Sequence, residues 1–167
     1  MLEPICLKPV GFVEEGIPRL GEPYRPESRY EIISTIKILD EYVEALEGLQ
    51  EYSHIIVIYW MHEEKRYKPK VKPWGIERYP EVGIFATRFP PRPNLIALTV
   101  AELIAVEGNK LKVRGLDAWT GSPVIDIKPY DYYDIVKNPR IPWWLEERWK
   151  ELSEKKNYKT IAPWLGP

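Results

Sequence analysis

Two apolar-rich runs, 96–106 and 111–116, are joined across Gly108-Asn109. Glycine and asparagine tolerate the backbone that a tight two-residue turn demands, so the spacing predicts an antiparallel hairpin. A third run, 124–130, follows Gly121-Ser122-Pro123 and is expected to pair beside it. Further strands are read at 5–13, at 29–33 and at 54–62, the last apolar on both faces and hence expected to be buried on both sides. Asp40 can cap a short helix over 41–46 that Gly48 ends, with Tyr42, Val43 and Leu46 as its apolar face. Pro142 opens a second helix over 142–152, where Leu145, Trp149 and Leu152 recur at helical spacing. The expectation is a mostly-β fold: a single β-barrel or strongly curved antiparallel sheet, with one short inserted helix and a C-terminal helix.

At 167 residues the chain fits one domain, and a chain of this size buries roughly 70% of its unfolded surface. Cys6 is the only cysteine, which excludes an internal disulfide and a cysteine metal site. Glu3 and Pro4 stand where a secretory leader needs a cationic and then an apolar run, and the longest apolar run, 55–61, is too short to span a bilayer. A soluble, cytoplasmic protein is expected. The net charge is −1, so any nucleic-acid contact must come from a local patch.

Three segments carry candidate chemistry. In Thr87-Arg88-Phe89-Pro90-Pro91-Arg92-Pro93-Asn94, three prolines predict a stiff polyproline-like connector, with Arg88 and Arg92 roughly 12 Å apart along it. Such arginines can grip a carboxylate or phosphate, or simply pair with surface acids. On the strand 124–130, alternation puts Val124, Asp126, Lys128 and Tyr130 on one side and Ile125 and Ile127 on the other. Asp126 and Lys128 are then either a polarised pair beside a reacting centre or an ion pair that fixes register. The third segment, Arg66-Tyr67-Lys68-Pro69-Lys70-Val71-Lys72-Pro73-Trp74, mixes cations and aromatics as RNA-binding loops do, and as solvated loops also do. His54 and His62 fall on one face of a strand about 26 Å apart and cannot share a metal. Neither a phosphate-binding glycine loop nor a Gly-x-Ser-x-Gly elbow nor a dinucleotide fingerprint is present.

Thr87-Arg88 with Arg92-Pro93-Asn94, followed by Gly121-Ser122-Pro123-Val124-Ile125-Asp126-Ile127-Lys128-Pro129-Tyr130, resembles the TsaA-like (TrmO) family. Upstream, Gly16-Ile17-Pro18-Arg19, Ala45-Leu46-Glu47-Gly48-Leu49, Tyr52-Ser53-His54 and Met61-His62 fall in the family's order. The likeness runs from about residue 5 to 134, and residues 135–167 resemble a helix and short tail, packed on the same domain, in place of the extra domain of longer bacterial relatives. The resemblance implies a β-barrel methyltransferase that uses S-adenosylmethionine, works as a homodimer and N6-methylates threonylcarbamoyladenosine beside the tRNA anticodon. It further implies cofactor contacts from Pro18, Arg19 and Leu20, Met61 and His62, Arg88, and the turn Thr120, Gly121, Ser122 and Pro123.

Given that activity, Asp126, His62 or Tyr130 could assist removal of the acceptor's proton, with Lys128 beside Asp126. Arg92, Asn94 and Lys128 are candidates for the modified nucleoside, and Lys68, Lys70 and Lys72 for the RNA backbone. No metal is expected. The chain departs from the family pattern at Leu20 (usually Gln), at Leu95 and Ala97, and at Thr120 (usually Asp). Two other classes stay open: a methyltransferase for another nucleoside or small molecule, and a non-catalytic cofactor- or RNA-binding barrel.

Overall fold

The computed structural model describes residues 3–18 and 31–154, apart from the side chain of Ser153. Residues group into two units, one ending at Tyr130 and one beginning at Asp131.

The first unit is built from β1 (Gly11–Glu15), β2 (Ile33–Ile38), β3 (His54–Trp60), the short β4 (Lys70–Val71) and β5 (Val82–Gly83), β6 (Ile96–Glu107), β7 (Lys110–Arg114) and β8 (Pro123–Pro129). Six of these strands close a barrel in the order β1-β2-β7-β6-β3-β8, every pairing antiparallel, while β4 and β5 pair separately. Closure pairs every barrel strand on both sides over part of its length, while the first half of β6, Ile96–Ala101, pairs with β3 alone. The hairpin of β6 and β7 turns at Gly108-Asn109, where Gly108 takes φ 61 and the flanking Glu107 and Lys110 pair. That is the backbone a two-residue turn requires.

The interior is filled from all six strands by Val13, Ile36, Val57, Ala101, Val113 and Val124 and their neighbours, with Leu46 joining the same cluster from the segment between β2 and β3. Each buried Val or Ile contributes about 1.5–3 kcal/mol of transfer free energy.

Several expectations need correcting. The first strand begins at Gly11 rather than residue 5: Ile5 and Leu7 are exposed, and no ladder partner reaches them among the described residues. The second strand is Ile33–Ile38 rather than 29–33, and positions 29 and 30 lie outside the described residues. In β3 only Ile55, Val57 and Tyr59 are buried, while His54, Ile56, Ile58 and Trp60 are half-buried on the outer face, so the strand is covered on one side only. Met61 and His62 have left the strand, because β6 pairing ends at Trp60 opposite Ile96.

The inserted helix Asp40–Leu46 is 3-10 rather than α. It starts at Asp40 itself, so that side chain lies within the first turn, and its Oδ1 accepts from Asn109 Nδ2 at 3.2 Å instead of capping. The proline segment is not a continuous polyproline rod either. The Arg92 N–H donates to the Pro90 carbonyl at 2.6 Å, closing a three-residue turn that a polyproline helix lacks.

In the second unit, Asp131 and Asp134 form a reciprocal cap on the 3-10 turn Tyr132–Asp134. The helix α1 (Trp143–Glu154) follows, and the Pro142 carbonyl accepts from its first turn. Leu152 is buried as expected, whereas Leu145 and Trp149 are half-buried and Trp144 is the buried residue of the first turn.

Candidate active site

The barrel's strand order collects the predicted cofactor residues at one end. Running antiparallel, the end of β1, the start of β8, the end of β3 and the start of β6 all lie on the same rim. The loop after β1 is stitched to the loop before β8: Ile17 N–H donates to the Ala118 carbonyl at 3.0 Å, Gly16 N–H to Thr120 Oγ1 at 3.0 Å, and Thr120 N–H to the Ile17 carbonyl at 3.2 Å. Gly121 N–H reaches the Val13 carbonyl at 2.7 Å, and Val13 N–H reaches the Ser122 carbonyl at 2.9 Å. Pro18 is thereby held beside Thr120, Gly121, Ser122 and Pro123. Arg19 and Leu20 lie outside the described residues.

Gly16 is where the two loops come closest. A Cβ there would stand 2.6 Å from Val13 Cγ1 and 2.7 Å from the Ala118 carbonyl oxygen, so any side chain would push the loops apart. Inside the barrel, the hydroxyl of the buried Tyr59 donates to the Asp117 carbonyl and sits 3.3 Å from Thr99 Oγ1, anchoring the start of the same loop. Neither role was legible from residue types, since a glycine in a loop and a tyrosine in a strand are ordinary.

At the end of β3, the Met61 N–H donates to the Leu95 carbonyl at 2.8 Å, which sets Met61 and His62 beside Asn94 on this rim. His62 Nε2 lies 3.4 Å from Glu63, and its Nδ1 is buried without a hydrogen-bond partner among the described residues. The long excursion over 61–95 leaves from this rim and returns to it, carrying Arg88, Arg92 and the three lysines. Arg88 is exposed, and its guanidinium has no partner among the described residues. Arg92 is engaged: Nη1 donates to the carbonyls of Thr87 at 2.6 Å and Ile84 at 3.2 Å, and the guanidinium stands 5.8 Å from the Phe85 ring centroid. Lys72 is paired with Glu77 at 2.7 Å, whereas the ammonium groups of Lys68 and Lys70 have no partner among the described residues.

Asp126 and Lys128 are paired at 2.6 Å, with Asp126 Oδ1 also accepting from the Ile127 N–H at 2.9 Å. Their face differs from the one that simple alternation predicts. The β3–β8 register slips between Ile58, opposite Asp126, and Tyr59, opposite Val124, so Ile125 is an inserted residue. Such a bulge resets the alternation. Val124 therefore points into the core, while Asp126 and Lys128 point outward beside Ile58 and Ile56.

Between Ile56 and Trp60 on β3 and between Ile96 and Val100 on β6 that outer wall is otherwise apolar, and it gives way to His54 and the Glu102–Arg114 pair below. Ile58 faces Leu98, Ile56 faces Val100 and Trp60 faces Ile96 across the β3–β6 ladder, and Leu98 and Val100 are 44% and 42% exposed. Tyr130 is at the far end of β8, its N–H bonded to the His54 carbonyl at 3.1 Å and its ring 6.4 Å from the His54 ring. The strand between His54 and Met61 makes that roughly 20 Å from the rim. Tyr130 is thus not brought together with the cofactor residues within one chain.

Among known families, the profile of the tRNA-methyltransferase O N-terminal domain matches residues 17–135. The chain belongs to this TrmO family. An S-adenosyl-L-methionine-binding protein of Archaeoglobus fulgidus is 46% identical over 126 residues, covering 75% of this chain and 89% of that relative. A mouse protein named tRNA (adenine(37)-N6)-methyltransferase is 37% identical over 133 residues, covering 75% of this chain and 31% of the mouse chain. A crystal structure of TrmO from Pseudomonas aeruginosa superposes with a TM-score of 0.67 at 31% identity, covering 84% of this chain. The present chain spans 62% of that TrmO chain. The TrmO match takes in the rim segments from Ile17 onward, namely the loop after β1, the end of β3, the start of β6 and the turn before β8.

Proposed function

We propose that this chain is an S-adenosylmethionine-dependent methyltransferase that N6-methylates threonylcarbamoyladenosine beside the tRNA anticodon, acting as a homodimer in the cytoplasm. The observation that carries the reading is the convergence of Pro18, Met61, His62 and Thr120–Pro123 on one rim of a TrmO-family barrel. The names of the mouse and A. fulgidus relatives support the reaction and the cofactor.

The residues present fit that cofactor. Its carboxylate calls for a charge-assisted fork, and Arg88 has a guanidinium without a partner among the described residues. Its polar groups call for buried donors or acceptors, and His62 Nδ1 is one without a partner among the described residues. Gly121, at φ 88, gives the turn a backbone free of side-chain bulk where the adenosine would approach. Bound there, the cofactor supplies a methyl group activated by its sulfonium.

The remaining work is positioning and exclusion of water, which dominate an in-line displacement. The acceptor nitrogen gives up a proton as its new bond to carbon forms, and of the candidates Asp126, His62 and Tyr130, the first two lie nearer the rim. With one oxygen on the Ile127 N–H and the other on Lys128, Asp126 holds that lysine toward an anionic nucleoside. Arg92 orders the Ile84–Thr87 turn next to Arg88, and Asn94 borders Met61 on the rim. The homodimer rests on the apolar outer wall of β3 and β6, since a contiguous exposed apolar patch marks an association surface and a two-fold contact must be self-complementary.

Calorimetric titration with S-adenosylmethionine tests the class: Arg88→Ala should weaken binding roughly 10- to 150-fold, the loss of one charge-assisted hydrogen bond. No binding by the unaltered protein would remove the methyltransferase reading. Mass spectrometry of tRNA nucleosides after incubation tests the substrate. Threonylcarbamoyladenosine that gains no methyl group would remove that acceptor.

A further inference from the structure

Beside the rim, the excursion over 61–95 encloses a cleft of about 410 Å³ lined chiefly by Arg66, Lys68, Lys70, Lys72, Glu81 and Phe89. The walls are fixed by main-chain bonds: Lys68 N–H to the Pro91 carbonyl at 3.1 Å, Ile84 N–H to the Pro69 carbonyl at 2.9 Å, and the β4–β5 pair. The aromatic wall is braced as well. Phe89 meets Trp74 edge-on at 5.8 Å, and Trp74 meets the buried Tyr79 at 6.3 Å. Trp74 does so at φ 51, a left-handed conformation that a bulky residue keeps only where its surroundings impose it. The Phe89 ring is therefore set before any ligand arrives.

The charges are unevenly compensated. Arg66 is held by Glu64 through Nε at 2.9 Å and Nη2 at 3.0 Å, and Lys72 by Glu77, but the ammonium groups of Lys68 and Lys70 have no partner among the described residues. A braced aromatic face next to two cations without an ion-pair partner among the described residues, set against the single carboxylate of Glu81, is the chemistry that recognises an unpaired nucleotide: stacking for the base, point charges for its phosphates.

We propose that this cleft seats one unpaired nucleotide of the RNA strand that carries the target, its phosphates on Lys68 and Lys70 and its base on Phe89. This rests on the tRNA reading above and narrows it: binding is carried chiefly by two lysines and one ring, Lys72 being paired with Glu77.

The test is fluorescence titration of a labelled tRNA transcript at several salt concentrations, with melting temperature as the check on folding. Lys68→Ala combined with Lys70→Ala should lower the slope of log affinity against log salt by about 1.4, two contacts at about 0.7 each for single-stranded RNA. Phe89→Leu should weaken binding roughly 5- to 150-fold at any one salt concentration and leave the slope unchanged, and Phe89→Tyr should restore it. Salt-dependent binding by the unaltered protein, with slope and affinity the same in all variants, would overturn the cleft and leave the tRNA reading standing. Absence of salt-dependent tRNA binding in the unaltered protein would overturn both.

Discussion

Replacing Gly16 with alanine adds a single methyl group at the closest approach of the two loops that form the proposed cofactor turn. Gly16 does not have a positive φ, so the penalty is one of space alone. The new Cβ would meet Val13 Cγ1 at 2.6 Å and the Ala118 carbonyl oxygen at 2.7 Å. Val13 is fully buried and β-branched, and Ala118 contributes backbone, so neither contact can yield cheaply. Overpacking of this kind costs about 1–3 kcal/mol, and the reduced freedom of the unfolded chain returns about 0.4–1 kcal/mol. The net is roughly 0–2.6 kcal/mol, equivalent to a drop in melting temperature of up to about 10 °C for a domain of this size. If the loops separate to relieve the strain, the bonds from Gly16 to Thr120 and from Ile17 to Ala118 lengthen, and part of the cost moves from stability to cofactor affinity. Differential scanning calorimetry with and without S-adenosylmethionine reads both quantities. Gly83→Ala is the control, because a Cβ there meets nothing within 4 Å. A Gly16→Ala protein that melts with the parent and binds the cofactor equally well would refute the claim that these loops are packed against each other as described.

Asp126→Asn keeps the bond to Ile127 and removes the carboxylate charge that pairs with Lys128; single-turnover methylation per folded molecule should fall, by about 10²-fold or more if the carboxylate takes the proton, at nearly constant cofactor affinity. Full activity would exclude Asp126 from the mechanism. Leu98→Glu places a charge in the outer wall and should shift the protein to monomer by analytical ultracentrifugation, and an unchanged sedimentation coefficient would count against that wall as the interface. The Glu64 carboxylate is lowered from 4.5 to about 2, chiefly by the side chain of Arg66. Its folded-state value is depressed, so its stabilisation is fully present above its ordinary value and lost as pH falls from about 4.5 to about 2. Urea unfolding should therefore show a gap between the parent and Glu64→Gln that narrows over that window, and a gap independent of pH would contradict the pairing.

The hairpin and the barrel class were legible because alternation and a Gly-Asn step are local signals. The rim was not legible from residue types, since it depends on β1, β8, β3 and β6 lying side by side although β8 is last in the chain. The bulge at Ile125 was hidden because Val124, Ile125 and Ile127 are apolar alike, and a one-residue slip leaves no trace in such a run. Ile5 and Leu7 read as strand for the same reason: apolar alternation records a preference for burial, and at this end of the chain no neighbour meets it among the described residues. The engagement of Arg92 was invisible because a guanidinium that orders a turn and one that grips a ligand look identical in sequence.

The bulge has a consequence for how the site works. Without the inserted residue, Asp126 would lie on the same face as Val124, inside a core where an ion pair costs more in desolvation than it returns. With it, the pair is half-exposed on the outer wall and flanked by Ile56 and Ile58, where it contributes at most about 1 kcal/mol to the isolated chain. A second copy covering the apolar wall would exclude water from the same two charges and strengthen their field at the moment the substrate is in place. The proposed dimer and the proposed role of Asp126 are therefore coupled. Leu98→Glu should reduce methyl transfer as well as dissociating the dimer, although Leu98 stands beyond Ile58 from Asp126. Monomeric protein with undiminished single-turnover rates would separate the two and leave the charge pair to act alone.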